Sequence, residues 1–115
     1  MVRRRIQVDD IPLPICEALF EDLDQREISM NDLVQGILVK RYNLELRFGG
    51  GVKRTMLNGC NRLILKMPEP LFYEIKKHAA RSGASMRAVV IHGLAVHYGL
   101  TEHAVPLTRE RTYAP

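Results

Sequence analysis

Two short runs carry the donor groups with which this chain can meet a partner. In NRLILKMPEP, Asn61 to Pro70, the residues Arg62, Ile64 and Lys66 fall on one side and Leu63, Leu65 and Met67 on the other. In RRRIQVDDI near the amino terminus, Arg3, Arg5 and Gln7 lie opposite Ile6 and Val8. Period-two alternation is the sign of a strand with one buried face. Cations repeated on its other face form a row of donors that is costly unless it meets an anion. An ordinary solvated strand face is the plainer alternative.

Other chemistry finds little support. There is no nucleophile with a paired base and no metal-ligand set, and Gly49 to Gly51 do not form a phosphate loop joined to a strand. His92 and His97 are five apart, on different faces of a helix. Cys16 and Cys60 are too few and too distant for a disulfide framework, and Cys16 sits in an apolar helical pattern as a core thiol. The chain is expected to be no enzyme and to hold no cofactor and no metal.

At 115 residues and 46% hydrophobic content, the chain is most simply one folded domain. No apolar run approaches the ~18 residues of a membrane span, and MVRRRIQVDD lacks a signal peptide's apolar core. A cytoplasmic location without membrane contact is the expectation. Residues 1–44 carry a charge balance of −2 and residues 45–115 a balance of +6. Such a basic excess is compatible with a polyanionic partner, as it is with none.

The elements that position the two cationic runs emerge when the chain is shifted against itself by 56 residues. Eight pairs are then identical: Pro12/Pro68, Pro14/Pro70, Ser29/Ser85, Met30/Met86, Val34/Val90, Leu38/Leu94, Tyr42/Tyr98 and Leu44/Leu100. Chance gives roughly two over this span at ordinary residue frequencies. Each copy reads as a short strand ending in P-x-P, then a helix over 15–27 or 71–82, then a break. A second helix follows, capped by Ser29 or Ser85 and running to Tyr42 or Tyr98, with Asn43 and Gly99 as stops. Residues 1–44 are thus a first unit, 45–60 a glycine-bearing flexible linker, 61–100 a second unit and 101–115 a tail, the two units forming one compact domain.

Strand, helix, turn and helix in about 40 residues resembles the ribbon-helix-helix (Arc/MetJ-like) DNA-binding family, most closely in RLILKMP, LFYEIKKHAARS, GAS and SMRAVVIHGLAVHYG of the second copy. The resemblance implies a mostly α fold with a two-stranded antiparallel ribbon, a tandem pseudo-dimer. It implies double-stranded DNA as partner, with the ribbon in the major groove and Arg3, Arg5, Gln7, Arg62, Ile64 and Lys66 facing the bases. The helix starts at Ser29, Met30 and Asn31 and at Ser85, Met86 and Arg87 would hold backbone phosphates. A sequence-specific transcriptional regulator of bacterial, phage or plasmid type is the role expected. The alternatives are an accessory protein of conjugative DNA processing and an antitoxin-like interaction module. Whether the ribbon forms within one chain or between two is left open by the linker.

Two departures concern the first copy. At the 56-residue offset Ile6 matches Arg62, which is the wrong parity, so an inserted residue is expected near Asp9-Asp10. Otherwise Ile6, Val8 and Asp10 would face DNA. Glu27 stands where the second copy has Gly83, and must avoid or endure a left-handed conformation. The acidic first helix (Glu17, Glu21, Asp22, Asp24, Glu27) is read as a solvated face. The sharper reading docks it on Lys76, Lys77 and Arg81 of a neighbouring molecule, as self-association on DNA.

Overall fold

The computed structural model describes residues 3–44 and 62–103. The linker 45–60, Cys60, Asn61 and the tail beyond 103 lie outside them. Within them the order is β1 (Arg3–Val8), α1 (Leu13–Asp24), α2 (Met30–Arg41), β2 (Leu63–Pro68), α3 (Glu69–Ser82) and α4 (Met86–Tyr98), then one 3-10 turn at Thr101–His103. The fold is mostly helical with one two-stranded antiparallel sheet, β1 paired to β2 within the chain.

Ile6, Val8, Leu63, Leu65 and Met67 are buried on the inner face of this ribbon. Its covering is crossed: α4 packs on β1 and α2 on β2, while α2 and α4 pack on each other. The second helix of each segment therefore shields the strand of the other. Val34, Leu38, Val90, Ile91 and Leu94 fill the centre between them with almost no exposure, and α1 and α3 add Ile15, Leu19, Leu71 and Ile75. Cys16 is a buried thiol whose Sγ lies 3.6 Å from the Ile11 carbonyl.

The parity conflict in the first strand is resolved by an extra residue. Ile6 opposes Leu65 and Val8 opposes Leu63, so these buried pairs exchange under a shift of 57 residues, one more than the 56 that aligns the helices. Between Val8 and Ile11, both buried, the backbone reverses phase at Asp10, whose φ is +54°. Aspartate tolerates this left-handed region better than most side chains.

Helix ends follow local chemistry. Pro12 and Pro68 occupy the N-caps of α1 and α3, with Pro14 and Pro70 in the first turns. Both helices start two residues earlier than the periodicity predicts, since a proline needs no hydrogen-bond partner there. Glycine at Gly83 (φ 71°) closes α3 in the left-handed conformation, but α1 stops earlier, at Asp24. Gln25 and Arg26 finish it with bonds to Asp22 and Leu23, so Glu27 avoids the left-handed region. Asn43 (φ 56°) and Gly99 (φ 70°) end α2 and α4, with Leu44 and Leu100 N–H groups turning back to Val39 and Ala95.

One polar tie joins the ends of two helices. Tyr98 Oη donates to Asp22 Oδ2 at 2.7 Å, and Arg26 Nε donates to Asp22 Oδ1 at 2.7 Å. Arg26 and then the tyrosine hydroxyl hold the Asp22 carboxyl below its usual range, against the opposing effect of burial. A depressed carboxylate pKa stabilises above its unfolded value and ceases to do so as pH falls through the folded one. Urea unfolding from neutral pH to about pH 3, below the ordinary aspartate value, is expected to show Asp22→Asn less stable than wild type at neutral pH, the difference shrinking on acidification. Asp10→Val should lose about 1–2 kcal/mol by the same assay, and Asp10→Gly little.

Candidate nucleic-acid interface

The outer face of the ribbon follows from its register. Arg5 stands directly opposite Lys66, Gln7 opposite Ile64 and Arg3 opposite Pro68. Arg3, Arg5, Gln7, Arg62, Ile64 and Lys66 are all exposed. The structure thus brings all six onto one surface. Side chains alternate across a strand, and the inner positions are taken by the core, so these have nowhere else to point.

Their polar partners differ. Arg62 Nε lies 3.0 Å from Asp9 Oδ1, and Gln7 Nε2 donates to the same carboxylate at 3.1–3.2 Å. Arg3 Nη1 donates to the Lys66 carbonyl at 3.1 Å. The side chains of Arg5 and Lys66 have no polar partner among the described residues. Like charges directly opposed on a ribbon cost up to about 1 kcal/mol. One end of the face is therefore an uncompensated cation pair, and the other a neutralised Arg62–Asp9–Gln7 group. Sequence reasoning missed Asp9 on this face, because only the register brings it beside Arg62.

Arg4 shares the parity of Ile6 and Val8, so it lies off this face and turns toward α3. Its Nε bonds Glu69 Oε2 at 3.1 Å and its Nη2 bonds Tyr73 Oη at 3.3 Å, with the guanidinium 5.7 Å from the centre of the Phe72 ring. Tyr73 and Glu69 together hold this guanidinium above its usual pKa. Arg4 thus fastens the end of β1 to α3.

The helix starts flank the ribbon. Ser29 Oγ accepts from Asp32 N–H at 3.1 Å, and Ser85 Oγ from Ala88 N–H at 3.0 Å, as N-cap chemistry requires. Ser29 and Met30 are buried, while Ser85 is exposed and Met86 half-buried. The N–H groups of Met30 and Asn31, and of Met86 and Arg87, precede the first helical bonds (Leu33 to Ser29, Val89 to Ser85) and carry the positive end of each helix dipole.

Asn31 and Arg87, equivalent at the 56-residue offset, have other work than the sequence assigns. Asn31 Oδ1 accepts from Lys66 N–H at 3.1 Å, its Nδ2 approaches the Lys66 carbonyl at 3.4 Å, and Gln35 Nε2 donates to that carbonyl at 2.7 Å. Arg87 Nε donates to the Asp9 carbonyl and its Nη2 to that of Asp10 at 3.1 Å. Each therefore grips the backbone of the opposite segment, Asn31 at Lys66 within the paired strand and Arg87 at Asp9 and Asp10 just beyond the end of pairing. The Arg87 guanidinium is directed at these carbonyls, whereas the sequence reading aims it at a phosphate.

The acidic residues Glu17, Glu21, Asp24 and Glu27 of the first segment are exposed, but Asp22 is committed to Arg26 and Tyr98. Lys76, Lys77 and Arg81 are exposed on α3, with Lys77 Nζ 3.2 Å from Glu74. No helix among the described residues is long and apolar enough to cross a membrane. Among them, no group of three or more His, Cys, Asp or Glu residues is arranged to hold a metal.

Compared with known proteins, the chain matches no family model, no curated protein and no solved structure.

If Asn31 and Arg87 clamp the ribbon, Asn31→Ala should cost about 1–2 kcal/mol and Arg87→Ala about 1.5–3 kcal/mol, the range for bonds from a charged donor. Urea unfolding measures both, and amide exchange should quicken first around Lys66 in the Asn31 variant and at the Val8 end of β1 in the Arg87 variant.

Proposed function

We propose that the two β-α-α segments form a tandem ribbon-helix-helix pseudo-dimer. Its ribbon enters the major groove of double-stranded DNA and reads sequence there, in the service of transcriptional regulation. The observation that carries this reading is the opposed pair Arg5 and Lys66, exposed and without a counter-charge among the described residues. A two-stranded ribbon fits the major groove, where such donors meet guanine O6 and N7. The exchange of Ile6·Leu65 with Val8·Leu63 supports a pseudo-twofold axis through the Gln7·Ile64 pair. Helix starts on both sides of the ribbon supply N–H groups for the flanking phosphates.

The two strands read differently. Arg3, Arg5 and Gln7 on one are met by Arg62, Ile64 and Lys66 on the other, and Asp9 neutralises Arg62 at one end only. The preferred core site is therefore expected to be non-palindromic.

The test selects binding sites from random duplex DNA and then titrates wild type and Arg5→Ala/Lys66→Ala against the winner across a salt series. A wild type whose log affinity falls steeply with log salt, with the folded variant at least tenfold weaker, is the expected result; each good base contact is worth about 1–3 kcal/mol. Undetectable wild-type binding at low salt would remove the DNA reading, and a symmetric optimal core would count against the pseudo-dimeric ribbon.

A further inference from the structure

The two copies differ sharply at the far ends of their second helices. In one corner Tyr98, Asp22 and Arg26 form the closed tie described above, with a carboxylate between hydroxyl and guanidinium. The equivalent corner has Tyr42, His78 and Ser82 at those three positions. There the carboxylate is replaced by an imidazole, which stacks on Tyr42 with ring centres 4.5 Å apart and planes at 27°. Instead of a closed tie there is a cavity of about 220 Å³, lined by Arg41, Tyr42, His78, Arg81, Ser82 and His92, with buried Val89 at its base.

No acidic residue among the described residues lines this cavity. Glu74 on α3 reaches His78 Nε2 at 3.3 Å and Lys77 Nζ at 3.2 Å from outside the lining. Arg41 Nη2 lies 3.4 Å from His92 Nδ1, where the guanidinium donates to a neutral imidazole nitrogen. Burial and then the Arg41 charge hold His92 below the usual histidine value, which favours that neutral acceptor. An anion drawn to Arg41 would compete for this long contact and partly offset the charge that lowers His92.

Arg41 is held there by close packing. A Cβ at Gly93 would come 3.2 Å from Arg41 Cδ and 3.0 Å from Leu38 Cδ2, so the bare glycine on α4 makes room for the arginine stem on α2. The first copy has Ile37 in place of Gly93, and Gly36 in place of His92.

We propose that this cavity is a binding site for a small organic anion, its phosphate or carboxylate head held by Arg41 and Arg81 and its body lying against Tyr42 and Val89. Charge-assisted bonds from two guanidinium groups suit such a head, and the volume admits a compact ring but not a polymer. The site stands apart from the ribbon. Arg41 is ten residues beyond Asn31 along α2, about 15 Å at ~1.5 Å per residue, so the inference does not rest on the DNA reading.

The experiment titrates the full chain, free of DNA, with phenyl phosphate, benzoate, inorganic phosphate and uncharged benzyl alcohol, following the ring resonances of His78, His92 and Tyr42 by NMR. Saturable shifts with at least one of the two ring-bearing anions and none with benzyl alcohol are expected, the stronger of the two identifying the head group. Inorganic phosphate should bind more weakly than phenyl phosphate. Arg41→Gln and Arg81→Gln should each weaken binding about tenfold, the loss of one charge-assisted bond, while Arg62→Gln on the ribbon leaves it unchanged. Arg81→Gln serves as the second probe should Arg41→Gln disturb the packing against Gly93. No saturable shift with either ring-bearing anion, equal response to benzyl alcohol, or equal loss in Arg62→Gln would overturn the proposal. Displacement of the ligand by a short random duplex would overturn it too, reassigning the cavity to nucleic-acid contact.

Discussion

Two strands paired only with each other gain too little to persist in water, so the ribbon exists by virtue of what covers its inner face. Ile6, Val8, Leu63, Leu65 and Met67 need an apolar roof, and the roof is supplied crosswise, α4 over β1 and α2 over β2. Neither segment can bury its own strand alone. That mutual dependence explains why Asn31 and Arg87 grip the opposing strand, and why the outer face carries what the core excludes. The exposed cations are the complement of an apolar row that the helices require.

The copies share a core and differ in their polar fittings. Asn31 holds Lys66 through an amide that both donates and accepts, whereas Arg87 only donates and grips two carbonyls of the longer, kinked β1–α1 connection. Gln35 is wholly buried and donates to the Lys66 carbonyl, while its Oε1 has no partner; Ile91 takes the equivalent place in α4. An unpaired buried amide oxygen costs on the order of 1–3 kcal/mol, which the added grip on Lys66 partly offsets. Burial raises the pKa of both tyrosines, and at Tyr98 the bonded Asp22 carboxylate raises it further. Two β-α-α segments thus carry two unlike ribbon ends and two unlike helix corners.

This division of labour gives the molecule separate surfaces. The ribbon lies at the starts of α2 and α4, where helix dipoles are positive, and the Arg41 cavity lies at the far ends of α2 and α3, where dipoles are negative and cations are favoured. Cations at a helix end have an ordinary structural use, and Lys40 and Arg41 in the last turn of α2 fit it. What exceeds that use is the convergence of Arg41 with Arg81, His78 and His92 around an open volume that no acid among the described residues lines.

Much of this was legible in the chain itself. The repeat, the alternation in both strands, the serine caps and the Asn43 and Gly99 stops are governed by residues a few positions apart, where backbone geometry leaves few choices. Even the extra residue at Asp9-Asp10 was readable, because an apolar parity that fails in one copy and holds in the other has only a shift of register to explain it. Intrachain pairing of β1 with β2, the partner of Arg87, the Asp9–Arg62 pair and the cavity beside Arg41 were settled only by the tertiary structure. Each joins residues more than thirty positions apart in sequence. Long arginine side chains reach many acceptors, and which one they meet depends on the crossed packing of helices over strands rather than on any local pattern.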